Sequence, residues 1–107
     1  MTTIEFTKKK DFKKIKYSLT ATGHAGYAQV GQDIVCSAIS ILLFTLANAL
    51  DDFGAADLKV SLEPGESEIS CTATWADEEI HSFFKFVMEG LELLEEQYPD
   101  HVEILEE

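Results

Sequence analysis

No arginine occurs anywhere in this chain, and apart from three histidines its only basic residues are eight lysines. Set against 20 aspartates and glutamates, they leave a formal net charge of −12 over 107 residues. That balance argues against nucleic acid as a partner, because neutralising phosphates takes a basic surface. Cysteine is scarce as well. Cys36 and Cys71 stand without the spaced set that frames a disulfide-stapled secreted domain. With no recognisable leader at the start, a reducing, cytoplasmic setting is expected. Two prolines and six glycines leave no linker and no low-complexity stretch. What remains, 46% hydrophobic and 26% charged residues, is the composition of one globular domain over residues 1–107.

Charge is also absent from residues 34–50, a run close to the roughly 17 to 25 apolar residues that span a bilayer. Ser37, Ser40, Thr45 and Asn48 fall on one side of a helix there, leaving Ile39, Leu42, Leu43, Leu46 and Leu50 on the other. The pattern predicts an amphipathic helix of a soluble protein rather than a membrane span. Its lack of charge predicts that the second face is covered too, by sheet, partner subunit or both.

Ile4 and Phe6 alternate with Glu5 and Thr7, and Ile15, Tyr17, Leu19 and Ala21 alternate with Lys16, Ser18 and Thr20. This is the period-two pattern of half-buried strands, with residues 8–14 joining them as a hairpin. Leu58, Val60 and Leu62 alternate in the same way before the Pro64-Gly65 turn, and Ile69, Cys71 and Ala73 point inward on the return strand. Residues 74–77 offer capping side chains, after which Ile80, Phe83, Phe84, Val87, Met88, Leu91 and Leu94 recur at helical spacing until Tyr98-Pro99. Val102 and Ile104 complete a short fifth strand. The expected fold is α+β with two layers, a mostly antiparallel sheet with one wet face, and the order β-β-α-β-β-α-β. Six of the eight lysines lie within residues 8–16, so one hairpin is basic while the rest is strongly acidic. An acidic surface favours solubility or draws in a basic polypeptide.

The chemistry concentrates in residues 23–36, G-H-A-G-Y-A-Q-V-G-Q-D-I-V-C, which hold three of the six glycines. If Asp33 caps the helix, Cys36 sits in its first turn, where N–H groups and the helix dipole favour a thiolate. His24, twelve residues earlier on a flexible loop, is the candidate base. Asp33 acts in two directions, capping the helix while its charge opposes the thiolate, or it orients His24. Ser40, one turn beyond Cys36, can donate to the sulfur or to a substrate carbonyl, and N–H groups at the helix start are candidate oxyanion donors. The plainer readings are that Cys36 and Cys71 are core residues, Cys71 the more clearly so, and that His81 and His101 belong to the surface. A zinc site made of His24, Cys36 and Cys71 lacks any C-x-x-C or H-x-x-x-H spacing.

The pair G-H-A-G-Y-A and G-Q-D-I-V-C-S-A-I-S closely resembles the signature of the ribosomal-processing cysteine protease (Prp) family, and the likeness runs along the whole chain. The resemblance implies a cytoplasmic, homodimeric endopeptidase needing no metal or cofactor. Its substrate would be the precursor of large-subunit ribosomal protein twenty-seven, cut after an aromatic residue to remove an N-terminal extension. It also implies His24 as base and Cys36 as nucleophile, with Gly23, Asp33 and Ser40 at matching supporting positions. Ser37 stands where the family most often has Ala. Tyr27 and Val30 are candidates for lining the substrate groove, or for packing in the core or a dimer. Two other classes stay open: a non-catalytic ribosome-associated binding module, and a thiol redox sensor using Cys36.

Overall fold

Hydrophobic alternation builds a five-stranded sheet, and two 20-residue helices cover one of its faces. The computed structural model describes residues 1–29 and 31–106. In chain order the elements are β1 (Thr2–Asp11), β2 (Lys14–Thr22), α1 (Ile34–Phe53), β3 (Ala56–Glu63), β4 (Glu66–Thr74), α2 (Glu78–Gln97) and β5 (Val102–Glu106). The sheet runs β3-β4-β2-β1-β5, antiparallel throughout except for β5, which lies parallel to β1. This is the expected α+β order. Each helix is the crossover between two strands running the same way, β2 to β3 through α1 and β4 to β5 through α2.

The register explains which residues meet the helices. Ile15, Tyr17, Leu19 and Ala21 of β2 lie opposite Ala73, Cys71, Ile69 and Ser67 of β4, so their alternate side chains form one apolar face. Ile4 and Val102 extend it across β1 and β5, and all but Ser67 of these residues are buried. The other face carries Glu5, Lys9, Lys16 and Glu68. Against the apolar face pack Val35, Ile39, Leu43, Leu46 and Leu50 of α1, and Ile80, Phe84, Val87, Met88 and Leu91 of α2. Tyr17 stacks on Phe84 at 4.4 Å between ring centroids, joining sheet and α2 at the centre.

Three expectations need adjusting. Residues 8–14 are mostly strand: pairing continues to Asp11 opposite Lys14, and only Phe12 and Lys13 turn, Phe12 with a left-handed φ of 58°. The second face of α1 is not covered within this chain, since Ile34, Ile41 and Phe44 are each more than half exposed. Asp77 precedes α2 without bonding its first N–H groups, because its carboxylate accepts instead from the Thr74 main-chain N–H at 2.8 Å.

The loop from Gly23 to Asp33 leaves the end of β2 beside the β3–β4 turn, the start of β1 and the start of β5. The lysine-rich hairpin points the opposite way, about 30 Å off by the ten-residue length of β1.

Candidate active site

Gly23 opens the loop with φ 87°, its N–H bonded to the Gly65 carbonyl at 2.9 Å and its own carbonyl accepting from Thr2 Oγ1 at 3.1 Å. A Cβ at this position would collide with the Met1 carbonyl oxygen. The glycine is therefore required both by backbone angle and by space. It delivers His24 onto the β3–β4 turn, where the imidazole lies against Gly65: a Cβ on Gly65 would stand 2.9 Å from Nε2.

At the other end of the loop Asp33 caps α1 as its residue type predicts, with an extended backbone at φ −83° and ψ 104°. One oxygen, Oδ1, accepts from the N–H groups of Val35 and Cys36, each at 2.9 Å. The second, Oδ2, accepts from those of Tyr27 and Ala28 at 2.9 and 3.3 Å. One carboxylate thus ties the helix start to the returning loop. Burial pushes its pKa up, but the four backbone donors outweigh burial and leave it below the ordinary 3.8. Asp33 is wholly engaged with the main chain and does not orient His24.

These bonds also occupy three of the expected oxyanion donors. Val35 and Cys36 give their N–H groups to Asp33, and Ser37 gives its own to the Asp33 carbonyl at 3.0 Å. None of the three is free to receive a substrate oxygen.

Cys36 occupies the first turn of α1, half-buried, with its sulfur accepting from the Ala25 N–H at 3.2 Å. Both Cys36 and His24 line one groove of about 570 Å³. No hydrogen bond joins the imidazole to the sulfur among the described residues; the ring rests on the turn across the groove. Ser40 lines the groove as well, without a bond to sulfur. Tyr27 does not: its ring packs edge-on to Tyr98 and His101 at centroid distances of 5.4 and 5.5 Å. Val30 lies outside the described residues. The apolar wall comes instead from Ile41 and Phe44 of α1 with Leu62 of β3, and the rim carries Glu63 and Glu66. Ile41 and Phe44 are large apolar residues on the polar side of an amphipathic helix, which was the available signal in the sequence.

The remaining titratable groups are placed plainly. Cys71 is buried in β4, and burial, aided by the Asp77 charge, pushes its thiol from 9.0 up to about 11. His81, expected at the surface, is drawn inward. Its Nε2 donates to the Thr74 carbonyl at 3.0 Å, and its Nδ1 accepts from the Tyr17 hydroxyl. His101 is likewise no free surface residue, since its Nδ1 lies 2.9 Å from the Ala25 carbonyl oxygen.

A thiol at a helix mouth that shares an open groove with an imidazole puts the domain, on chemical grounds, among thiol hydrolases. Comparison with known proteins makes the class specific. The sequence profile of the family described as cysteine protease Prp matches residues 1–103, and the chain belongs to that family of cysteine proteases. It is 30% identical over 86 residues to the ribosomal processing cysteine protease Prp of Mycoplasma pneumoniae, covering 80% of this chain and 83% of that one. Among solved structures, the ribosomal processing protease Prp from S. aureus with a covalently linked product peptide superposes with a TM-score of 0.82. That match has 23% identity over all of both chains. The same S. aureus protein with a substrate peptide gives a TM-score of 0.77 at 22% identity, again over the full length of both.

Proposed function

We propose that this cysteine protease removes the N-terminal extension of a ribosomal protein precursor, that of large-subunit protein twenty-seven, with Cys36 as nucleophile and His24 as base. The observation that carries the assignment is the shared groove, whose lining includes both the thiol and the imidazole along with an apolar wall and an acidic rim. An aromatic side chain of the substrate fits against Ile41 and Phe44. A ribosomal protein is basic, and a chain of net charge −12 favours its approach.

In the proposed mechanism substrate binding brings the His24 ring from Gly65 to the sulfur, and the imidazole takes the thiol proton. The sulfur pair bonds to the scissile carbonyl carbon while the C=O π pair moves onto oxygen. Collapse of this adduct breaks the C–N bond, and the imidazolium gives its proton to the departing amine. Water, deprotonated by His24, then splits the thioester into a carboxylate and the free thiol. Cytoplasmic location and homodimerisation belong to the same proposal. Two free thiols support the first, and the charge-free run of residues 34–50 in α1, on which Ile34 is 55% exposed, supports the second.

A Cys36→Ser variant tests the reading with a peptide spanning the extension junction. Wild type should cut this peptide, and the variant should bind without cutting. Undiminished function in the variant points to a docking module. Peroxide-dependent modification of wild type, with no peptide cut, points to a redox sensor.

A further inference from the structure

The sulfur of the candidate nucleophile accepts a hydrogen bond from Ala25, buried to 1% exposure, and both of that residue's peptide groups are engaged. Its N–H faces Cys36 Sγ at 3.2 Å and its carbonyl receives His101 Nδ1 at 2.9 Å. A carbonyl oxygen can only accept, so the His101 proton resides on Nδ1. His101 itself has little freedom. Its main-chain N–H bonds to the Tyr98 carbonyl at 2.9 Å, its carbonyl accepts from the Thr2 N–H at 2.9 Å, and the Tyr27 ring stands edge-on to its imidazole. The loop that carries His24 is therefore pinned, between His24 and Tyr27, to the rigid corner where α2 gives way to β5.

We infer that His101 is a positioning residue for the reactive thiol: by gripping the Ala25 carbonyl it holds the Ala25 N–H against Cys36 and thereby favours the thiolate. A hydrogen bond donated to the charged form of an acid stabilises that form, so loss of the donor raises the pH at which the thiol ionises. The Val35 and Cys36 amides at the start of α1 do not perform this task, because Asp33 takes them. Other charged or titratable groups at the groove are His24 and Asp33 from the loop and helix start, and Glu63 and Glu66 from the β3–β4 turn. All of them remain in the variants below. The inference deepens the proposed function, since it rests on Cys36 being its nucleophile.

The test is the rate of Cys36 alkylation by iodoacetamide against pH, read by peptide mapping, in wild type and in His101→Ala, His101→Asn and His101→Gln, with Tm measured for each. An Asn side chain sets its amide nitrogen where the imidazole Nδ1 stands, whereas Gln carries it one bond further. The His101→Ala and His101→Gln profiles should move to higher pH, with the rate at neutral pH reduced about 3- to 10-fold, and His101→Asn should keep the wild-type profile. If His101→Ala does not fold, the Asn and Gln variants carry the comparison alone. Profiles unchanged in all variants, or lowered Tm without a shift in profile, would overturn the inference, as would a folded Asn variant that shifts like Gln. Alkylation needs no substrate. A protein that cuts no peptide yet shows the shift retains this inference and refutes the proposed function, and the reverse pattern separates them equally well.

Discussion

The imidazole of His24 rests against Gly65, with Nε2 at 2.9 Å from the position a Cβ would take there. A turn between two strands thus sets where the candidate base waits, although the two residues are far apart in sequence. Gly65 is left-handed at φ 75°, so any side chain at this position is strained as well as crowded.

Gly65→Ala should displace the His24 ring, because the ring is the movable partner in that contact. With His24 as the proposed base, kcat/KM for the junction peptide is expected to fall about 10- to 100-fold. Stability should drop by only about 1 to 2 kcal/mol. Unfolding by urea alongside peptide cleavage checks both numbers. An unchanged kcat/KM in a folded variant would mean that the resting contact of His24 with Gly65 does not matter to catalysis.

Gly23→Ala meets a harder obstacle, since the atom in its way is the Met1 carbonyl oxygen and not a side-chain tip. The left-handed backbone adds its own cost. A loss of about 3 kcal/mol or more is expected, read as a lower urea midpoint with the slope unchanged.

Asp33→Asn replaces an acceptor of four backbone N–H groups by a side chain with one carbonyl oxygen and an NH₂ that cannot accept. A loss of about 1 to 2 kcal/mol is expected at neutral pH. The folded-state carboxyl titrates below its ordinary 3.8, so its contribution is fully present above that value and is lost as pH falls through the lower folded-state value. The stability gap between wild type and variant should therefore narrow as pH falls below 3.8. A gap that stays constant to pH 2 would contradict the bonding described for Asp33.

Cys71 should resist alkylation in the native protein at pH 8, while Cys36 is labelled, because its thiol is buried and titrates at about 11. Peptide mapping after timed labelling distinguishes the two sites. The raised value also fixes the alkaline behaviour. Stability from the neutral thiol is complete below its ordinary 9.0 and is lost as pH climbs through about 11. Cys71→Ala should flatten that part of the alkaline unfolding curve.

Much of the fold was legible because its determinants are periodic. Alternation along Ile15, Tyr17, Leu19 and Ala21, and helical spacing from Ile80 to Leu94, report burial on one face directly. The hairpin was less legible. A lysine-rich stretch looks like a loop, yet residues 8–11 remain in register because pairing is a property of two strands together. His81 and His101 look like surface residues for a related reason: Glu79 and Asp100 near them in sequence are acidic and exposed, but their bonding partners, Tyr17 and Ala25, are 64 and 76 residues away.

Local chemistry is what the sequence by itself determined: a thiol and a capping carboxylate three residues apart at a helix start, with glycines where the backbone must turn left-handed. Such features depend on contacts within a few residues, so composition and spacing suffice to specify them. Only the tertiary structure decided that His24 waits on Gly65, that Asp33 takes the Val35 and Cys36 amides, and that the groove wall is Ile41 and Phe44 rather than Tyr27. Each of these depends on where the sheet brings distant segments together, and a side chain's partners across that distance are set by packing and not by its place in the chain.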